Sequence, residues 1–148
     1  MAAGMELSEG LSEQLAGPRL AVLAVVLRRS ARGPQVLLVR RANPPQAGHW
    51  GFPGGKVKWG EDLGSAALRE LREETGIAAG APRVIGAIDL LDSDDHHLMI
   101  AVQMTWLAGE PRAGDDALEA HWSATDSLPH PLCADVDRVI AAALRAQS

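Results

Sequence analysis

A single α/β domain with a mixed sheet covered on both faces is predicted for this chain on three observations. A proline-free run from Asp62 to Thr75 is rich in helix formers, apolar segments of strand length stand on both sides of it, and a second helically periodic segment closes the chain from Asp135 to Arg145. Helices interleaved with strands in this way cover the two faces of one sheet. A length of 148 residues suits one domain able to bury a substantial core, and the 47% hydrophobic share is ordinary. There is no internal repeat and no linker long enough to divide residues 18–148, so that span is read as one domain, preceded by a lead-in of residues 1–17 rich in Ala, Gly, Ser and Glu.

Each element has its own local cause. Pro18 to Arg29 is dense in Val and Leu and reads as a buried strand; Ala31-Arg32-Gly33-Pro34 turns the chain, and Gln35 to Arg40 returns as a paired strand. Ala42 to Gly48, carrying Pro44-Pro45, is a loop that feeds a Gly-rich turn at Trp50-Gly51-Phe52-Pro53-Gly54-Gly55-Lys56. In the following helix Leu63, Ala67 and Leu71 recur every fourth residue and make an apolar stripe for packing on the sheet. Acidic Glu61 and Asp62 suit the positive end of the helix dipole, and Gly76 follows where a left-handed cap is commonly glycine. Arg83 to Leu91 and Leu98 to Leu107 read as strands joined by the polar stretch Asp92 to His97. Gly109 to Asp116 is a loop, and Ala117 to Ser123 a short strand. Val136, Val139, Ile140 and Leu144 give the last helix its apolar face.

The chemistry concentrates in the first helix. Glu70, Glu73 and Glu74 stand at i, i+3 and i+4, so their carboxylates share one face. Alone, such a triplet is an ordinary solvated face with Arg69 and Arg72 as partial counterions. Like charges on one turn repel by a few tenths of a kcal/mol per pair, and a gathered set is relieved by a cation. Oxygen-only donors select hard ions such as Mg²⁺ or Mn²⁺, typically shared with substrate phosphates. Upstream, Gly54 and Gly55 allow close approach of a ligand to the main chain. Gly55-Lys56 is not a P-loop: Trp50 holds the required glycine position and Val57 that of the Ser or Thr.

Gly55, Glu61, Arg69-Glu70-Leu71, Glu73-Glu74 and Gly76-Ile77 follow the pattern Gly-x5-Glu-x7-Arg-Glu-aliphatic-x-Glu-Glu-x-Gly-aliphatic at every fixed position. This resembles the signature of the Nudix hydrolases. Seven positions demand one residue type each, and at roughly 7% per position chance gives on the order of 10⁻⁸ per starting point. The resemblance implies an α/β/α sandwich with a mixed sheet, a signature loop-helix-loop and a C-terminal helix, and hydrolysis of a nucleoside diphosphate linked to another moiety. It implies Mg²⁺ or Mn²⁺ held by Glu70, Glu73 and Glu74, with the carbonyl of Gly54 completing the coordination. Glu70, Glu73 or a carboxylate on a later loop would help deprotonate water; among Asp115, Asp116 and Glu119, Glu119 is the expected one. Gly55, Glu61, Arg69 and Gly76 are expected to be structural, Arg69 through an ion pair with Glu61 or a neighbour.

Substrate recognition is less specified. Arg40 and Arg41, with Lys56 and Lys58, lie near the signature and are candidates for phosphate oxygens, and Trp50 for stacking on a base. His96 and His97, after Asp92-Ser93-Asp94-Asp95, read as a solvent-facing loop pair, with an approach to substrate or metal as the alternative. The Arg-Arg-Ala-Asn-Pro-Pro run before Trp50 and the Asp-Asp-x-x-Glu stretch before Trp122 look most like small Nudix proteins acting on ADP-ribose, giving AMP and ribose 5-phosphate. Ser93 stands where some of those enzymes place a proline. A nucleotide-pool sanitising hydrolase of oxidised dGTP is the alternative, and a non-catalytic nucleotide sensor the alternative of another class. The expected partner is a nucleoside diphosphate-linked small molecule, with homodimer formation implied by many relatives. A net charge of -5 argues against a general nucleic-acid binder. Cys133 is the only cysteine, so a reducing cytoplasm is expected. Met1 to Leu11 lacks a signal pattern and Leu20 to Leu27 is too short to span a bilayer.

Overall fold

The computed structural model describes residues 17–91 and 95–147. In chain order these form β1 (Arg19–Ser30), β2 (Gly33–Arg41), β3 (Trp50–Gly51), β4 (Gly54–Lys56), α1 (Leu63–Thr75), β5 (Ala78–Leu91), β6 (His96–Ala108), β7 (Ala117–Ala124) and α2 (Val136–Gln147). The lead-in expected over residues 1–17 lies outside the described residues except for Gly17, as does Ser93. Among the described residues no helix is long and apolar enough to cross a membrane.

The sheet runs β3-β2-β1-β6-β5, with β4 joined to β1 and β7 to β2. β1 and β6 are parallel and the remaining pairings antiparallel, so the sheet is mixed as expected. β1 is its axis: the first half pairs with β4 at Ala21, Val22 and Leu23, the second half with β2 from Leu27 onward. Side chains alternate across a strand, and β1 uses this fully. Val22, Ala24 and Val26 pack with Ala66, Ala67 and Leu71 of α1, whereas Val25 and Leu27 pack with Val136, Val139, Ile140 and Ala143 of α2. One strand thus supports both cores, and the α/β/α sandwich follows from its period of two.

Helix α1 begins and ends on side-chain and glycine chemistry. The Asp62 carboxylate accepts from the N–H of Ser65 at 2.8 Å, satisfying an otherwise orphan donor. Gly76 takes φ 76°, where L side chains are strained, and its N–H donates to the Arg72 carbonyl at 2.9 Å.

Two expectations are corrected. β5 starts at Ala78, five residues before the predicted Arg83, and of three register shifts between Ala78 and Gly86 the one between Gly80 and Arg83 absorbs Pro82. Local sequence there reads as loop, but pairing with β6 overrides it. His96 and His97 are not loop residues either. They open β6 opposite Leu91 and Leu90 and therefore point to opposite faces of the sheet.

Candidate active site around the first helix

The loop before α1 is fixed by one arginine. Arg69 donates from Nε to Glu61 Oε2 at 2.7 Å and from Nη2 to Glu61 Oε1 at 2.9 Å, a two-point grip that leaves little angular freedom. Its Nη2 also reaches the Lys56 carbonyl at 3.1 Å, and Glu61 accepts from the N–H of Lys58 at 3.1 Å. Arg69 and that N–H hold the Glu61 carboxyl down at a pKa of about 2. The remaining Arg69 nitrogen meets Glu70 Oε1 at 2.9 Å and Glu73 Oε2 at 3.4 Å. Glu61 and Arg69 thereby tie β4 and its turn to the helix.

Gly54 and Gly55 are glycines for reasons of space. A Cβ on Gly54 would collide with the carbonyl oxygen of Val22, and one on Gly55 would lie 2.6 Å from the Glu70 carboxylate. Bare backbone is thereby brought against the acidic helix face. The Gly54 N–H donates to Glu74 Oε2 at 3.3 Å. Glu74 is otherwise poorly compensated: burial raises its pKa to about 7, and Glu70 and Asp116 push the same way against the opposing Gly54 N–H and Arg41.

Asp116 arrives through the loop after β6. The N–H of Arg112 donates to the Thr75 carbonyl at 3.0 Å and that of Gly114 to the Glu74 carbonyl at 2.8 Å, clamping the loop on the end of α1. Glu119, the carboxylate expected to assist catalysis, is directed elsewhere. It lies on β7 opposite Arg40, accepts from Arg40 Nη1 at 3.2 Å and stands 3.1 Å from His121 Nε2. His121 and Arg40 hold its carboxyl below the usual range. The acid that bears on the helix cluster is Asp116, the last residue of the loop, immediately before β7 rather than on the strand.

The substrate candidates separate in the same way. Arg41 influences Glu74 and, with Lys56, lines a pocket of about 350 Å3 that opens beside Gly54 and Gly55. Arg40 is instead engaged by Glu119 and by the Gly48 carbonyl at 3.1 Å. Trp50 is 9% exposed, packed in the α2-side core and 5.8 Å from the His121 ring. Burial gives it no open face for a base, so it is a core residue. The pocket walls are mainly apolar, with Leu23, Phe52, Ile88, Met99 and Val139 among them, and His97 at one side. These walls come from three strands, the β3–β4 link and a helix, and no local pattern announces them. A larger hollow of about 740 Å3 lies between Arg28, Trp106 and Leu144; among the described residues no carboxylate side chain lines it.

Among the described residues, no three carboxylate, imidazole or thiol groups already converge on a coordination point, because Arg69 draws Glu70 and Glu73 to itself. The donor set nevertheless suits a hard cation. It is all oxygen, three carboxylates lie on one face of the helix, and Glu74 has only the Gly54 N–H and Arg41 to set against burial, Glu70 and Asp116.

The sequence model described as NUDIX domain matches residues 17–143. The chain is 35% identical over 108 residues to an ADP-ribose pyrophosphatase of Methanocaldococcus jannaschii, covering 72% of this chain and 63% of that protein. It is 39% identical over 93 residues to a putative 8-oxo-dGTP diphosphatase 2 of Mycobacterium tuberculosis, covering 62% and 66%. The aligned part thus spans about two thirds of these relatives. Among solved structures, a MutT NUDIX hydrolase from Burkholderia pseudomallei superposes with TM-score 0.75 at 34% identity, over 85% of this chain and 96% of that one. The NUDIX domain of Shewanella oneidensis NrtR, complexed with ADP-ribose, superposes with TM-score 0.81 at 22% identity, over 99% and 97%, a likeness of fold.

Proposed function

This chain belongs to the NUDIX domain family, and on that premise we propose that it is a divalent-metal-dependent hydrolase of the diphosphate link in a nucleoside diphosphate derivative, with ADP-ribose as substrate and AMP and ribose 5-phosphate as products. The observation that carries this reading is Glu74: a largely desolvated carboxylate crowded by Glu70 and Asp116 and bonded to the N–H of Gly54, which itself lines an apolar pocket edged by Arg41 and Lys56. Its similarity to the archaeal ADP-ribose pyrophosphatase favours the substrate named.

Glu70, Glu73 and Glu74 would hold Mg²⁺ or Mn²⁺, with the Gly54 carbonyl as a neutral oxygen ligand. Bound there, the ion supplies Lewis-acid polarisation of phosphate oxygens and a water of lowered pKa. Arg41 and Lys56 offset the charge of the phosphates where they enter the pocket. Arg69 sets the angle of the Glu70 and Glu73 carboxylates and, through Glu61, keeps Gly54 and Gly55 against the helix. Glu73, the most exposed of the three, with its side chain 57% accessible, has the freest access to a proton leaving water. The apolar walls seat the nucleoside and keep bulk water from it.

Incubation with ADP-ribose, with and without Mg²⁺, tests the reading. Metal-dependent release of AMP and ribose 5-phosphate supports it; metal-dependent binding with no product would instead make the domain a nucleotide sensor. The second enzymatic reading, pyrophosphohydrolysis of an oxidised nucleoside triphosphate, is favoured by the similarity to the mycobacterial protein. Pyrophosphate released from 8-oxo-dGTP at higher kcat/KM than AMP from ADP-ribose would select it.

A further inference from the structure

Pairing across β4, β1, β6 and β5 lays out the pocket floor as a grid, since directly opposed residues point to the same face. Leu23 stands between Gly54 and Ala101, and Ala21 between Lys56 and Met99. Arg19 begins the outermost row, beside His97, which in turn opposes Leu90. His97 is thus two strands and four residues away from Gly54, about 16 Å at ~4.8 Å per strand and ~3.3 Å per residue. A diphosphate held beside Gly54 does not reach that far. The part of a substrate that meets His97 lies beyond its phosphates.

In that part of the wall His97, with Asp95 beside it, supplies polar atoms among apolar side chains. Its neighbours Met99, Ile88 and Leu90 offer shape alone, whereas its own side chain is 19% exposed and lines the pocket. Nδ1 stands 3.6 Å from Asp95 Oδ2, and Asp95 Oδ1 stands 3.9 Å from Arg19 Nη1. Those separations exceed hydrogen-bond length. They orient the ring by charge, with Nδ1 toward Asp95 and Nε2 left as the nitrogen able to meet a ligand.

We propose that His97, positioned by Asp95, reads the hydrogen-bonding edge of the nucleobase and is the specificity-determining residue at the distal end of the pocket. The inference rests on the proposed reading of this pocket as the nucleoside seat. An apolar wall discriminates weakly between rings of one size, but a largely buried polar group rejects a ring that leaves it unpaired. The site therefore prefers adenine to the same purine without its amino group.

Calorimetric binding of AMP and of purine riboside 5′-monophosphate to the full chain, in Mg²⁺, separates the possibilities. The wild type is expected to favour AMP about tenfold, one added hydrogen bond to a polar group. His97→Phe, which keeps the volume, should bring that ratio to about one without lowering the melting temperature, and His97→Asn should retain part of it. For a hydrolysed adenine substrate, His97→Phe should raise KM and leave kcat within about threefold. A wild-type ratio near one, or a ratio unchanged in His97→Phe, overturns the assignment. Absence of product from every diphosphate tried would overturn the proposed hydrolysis instead, and the binding comparison needs no turnover.

Discussion

Glu61 precedes the first helix and Glu74 lies in its last turn, yet their carboxyls are driven in opposite directions. Arg69 and the Lys58 N–H hold Glu61 down at about 2, while burial beside Glu70 and Asp116 pushes Glu74 up to about 7. The first is a satisfied joint, two oxygens matched to two guanidinium nitrogens and a backbone donor. The second is a carboxylate removed from water with one long hydrogen bond to show for it. Folding alone gains from the first and loses from the second. A chain that keeps both has a use for the uncompensated charge, and a divalent cation beside a phosphate is the partner that would complete it.

The largest effect should come from the uncompensated side. Glu73→Gln or Glu74→Gln is expected to reduce turnover by at least about two orders of magnitude, a loss of roughly 3 kcal/mol in the transition state, with the circular dichroism spectrum unchanged. Chelation of divalent ions should abolish turnover in the parent protein. A Glu74→Gln variant as active as the parent at saturating Mg²⁺ removes Glu74 from the machinery.

The satisfied side should answer in stability first. Arg69→Ala leaves Glu61 and Glu70 without their counter-ion and is expected to cost about 2 kcal/mol, read as a melting temperature lower by several degrees. Arg69→Lys should not restore it, because an ammonium cannot grip both Glu61 oxygens. If Arg69→Ala melts like the parent, the joint is ornamental.

The two sides should also part with pH, measured as stability of the metal-free protein. Glu74 is raised when folded, so its ionised form is disfavoured: the penalty is absent below the unfolded value of 4.5, grows as pH rises from there to about 7, and amounts to about 2–3 kcal/mol above it. Glu61 is lowered, so its contribution is complete above 4.5 and lost as pH falls toward 2. The sum of the two peaks near pH 4.5, and Glu74→Gln should flatten only the neutral side. An unaltered slope between pH 5 and 8 in that variant would mean that Glu74 is not the strained group.

Smallest of all should be Glu119→Gln, because its carboxylate is occupied by Arg40 and His121 and its side chain is 41% exposed. Turnover is expected within about threefold of the parent, against a clearly larger loss for Asp116→Asn. The reverse order would restore Glu119 to the site.

What was legible in the sequence follows the range of the interactions involved. The helix, its caps and the Glu61–Arg69 joint are encoded by spacing between Glu61 and Gly76, and the two apolar faces of β1 by alternation. Glu119 and Asp116 could not be ranked from sequence, since they differ only in which strand or clamp carries them: pairing with Arg40 takes one away, and the Gly114–Glu74 contact brings the other in. Trp50, His96 and His97 were misread for the same reason. Their environment is set by register across β2, β5 and β6, and register is a property of the assembled sheet.

Titration of Mg²⁺ into the metal-free protein near pH 7, with and without AMP, in buffers of different ionisation enthalpy, addresses the cluster most directly. Binding should occur with release of a fraction of a proton, tighten with AMP, and weaken at least tenfold in Glu74→Gln, where no proton is left to release. A folded sample that takes up neither Mg²⁺ nor Mn²⁺, even beside nucleotide, would contradict the assignment of Glu70, Glu73 and Glu74 as the cation's ligands.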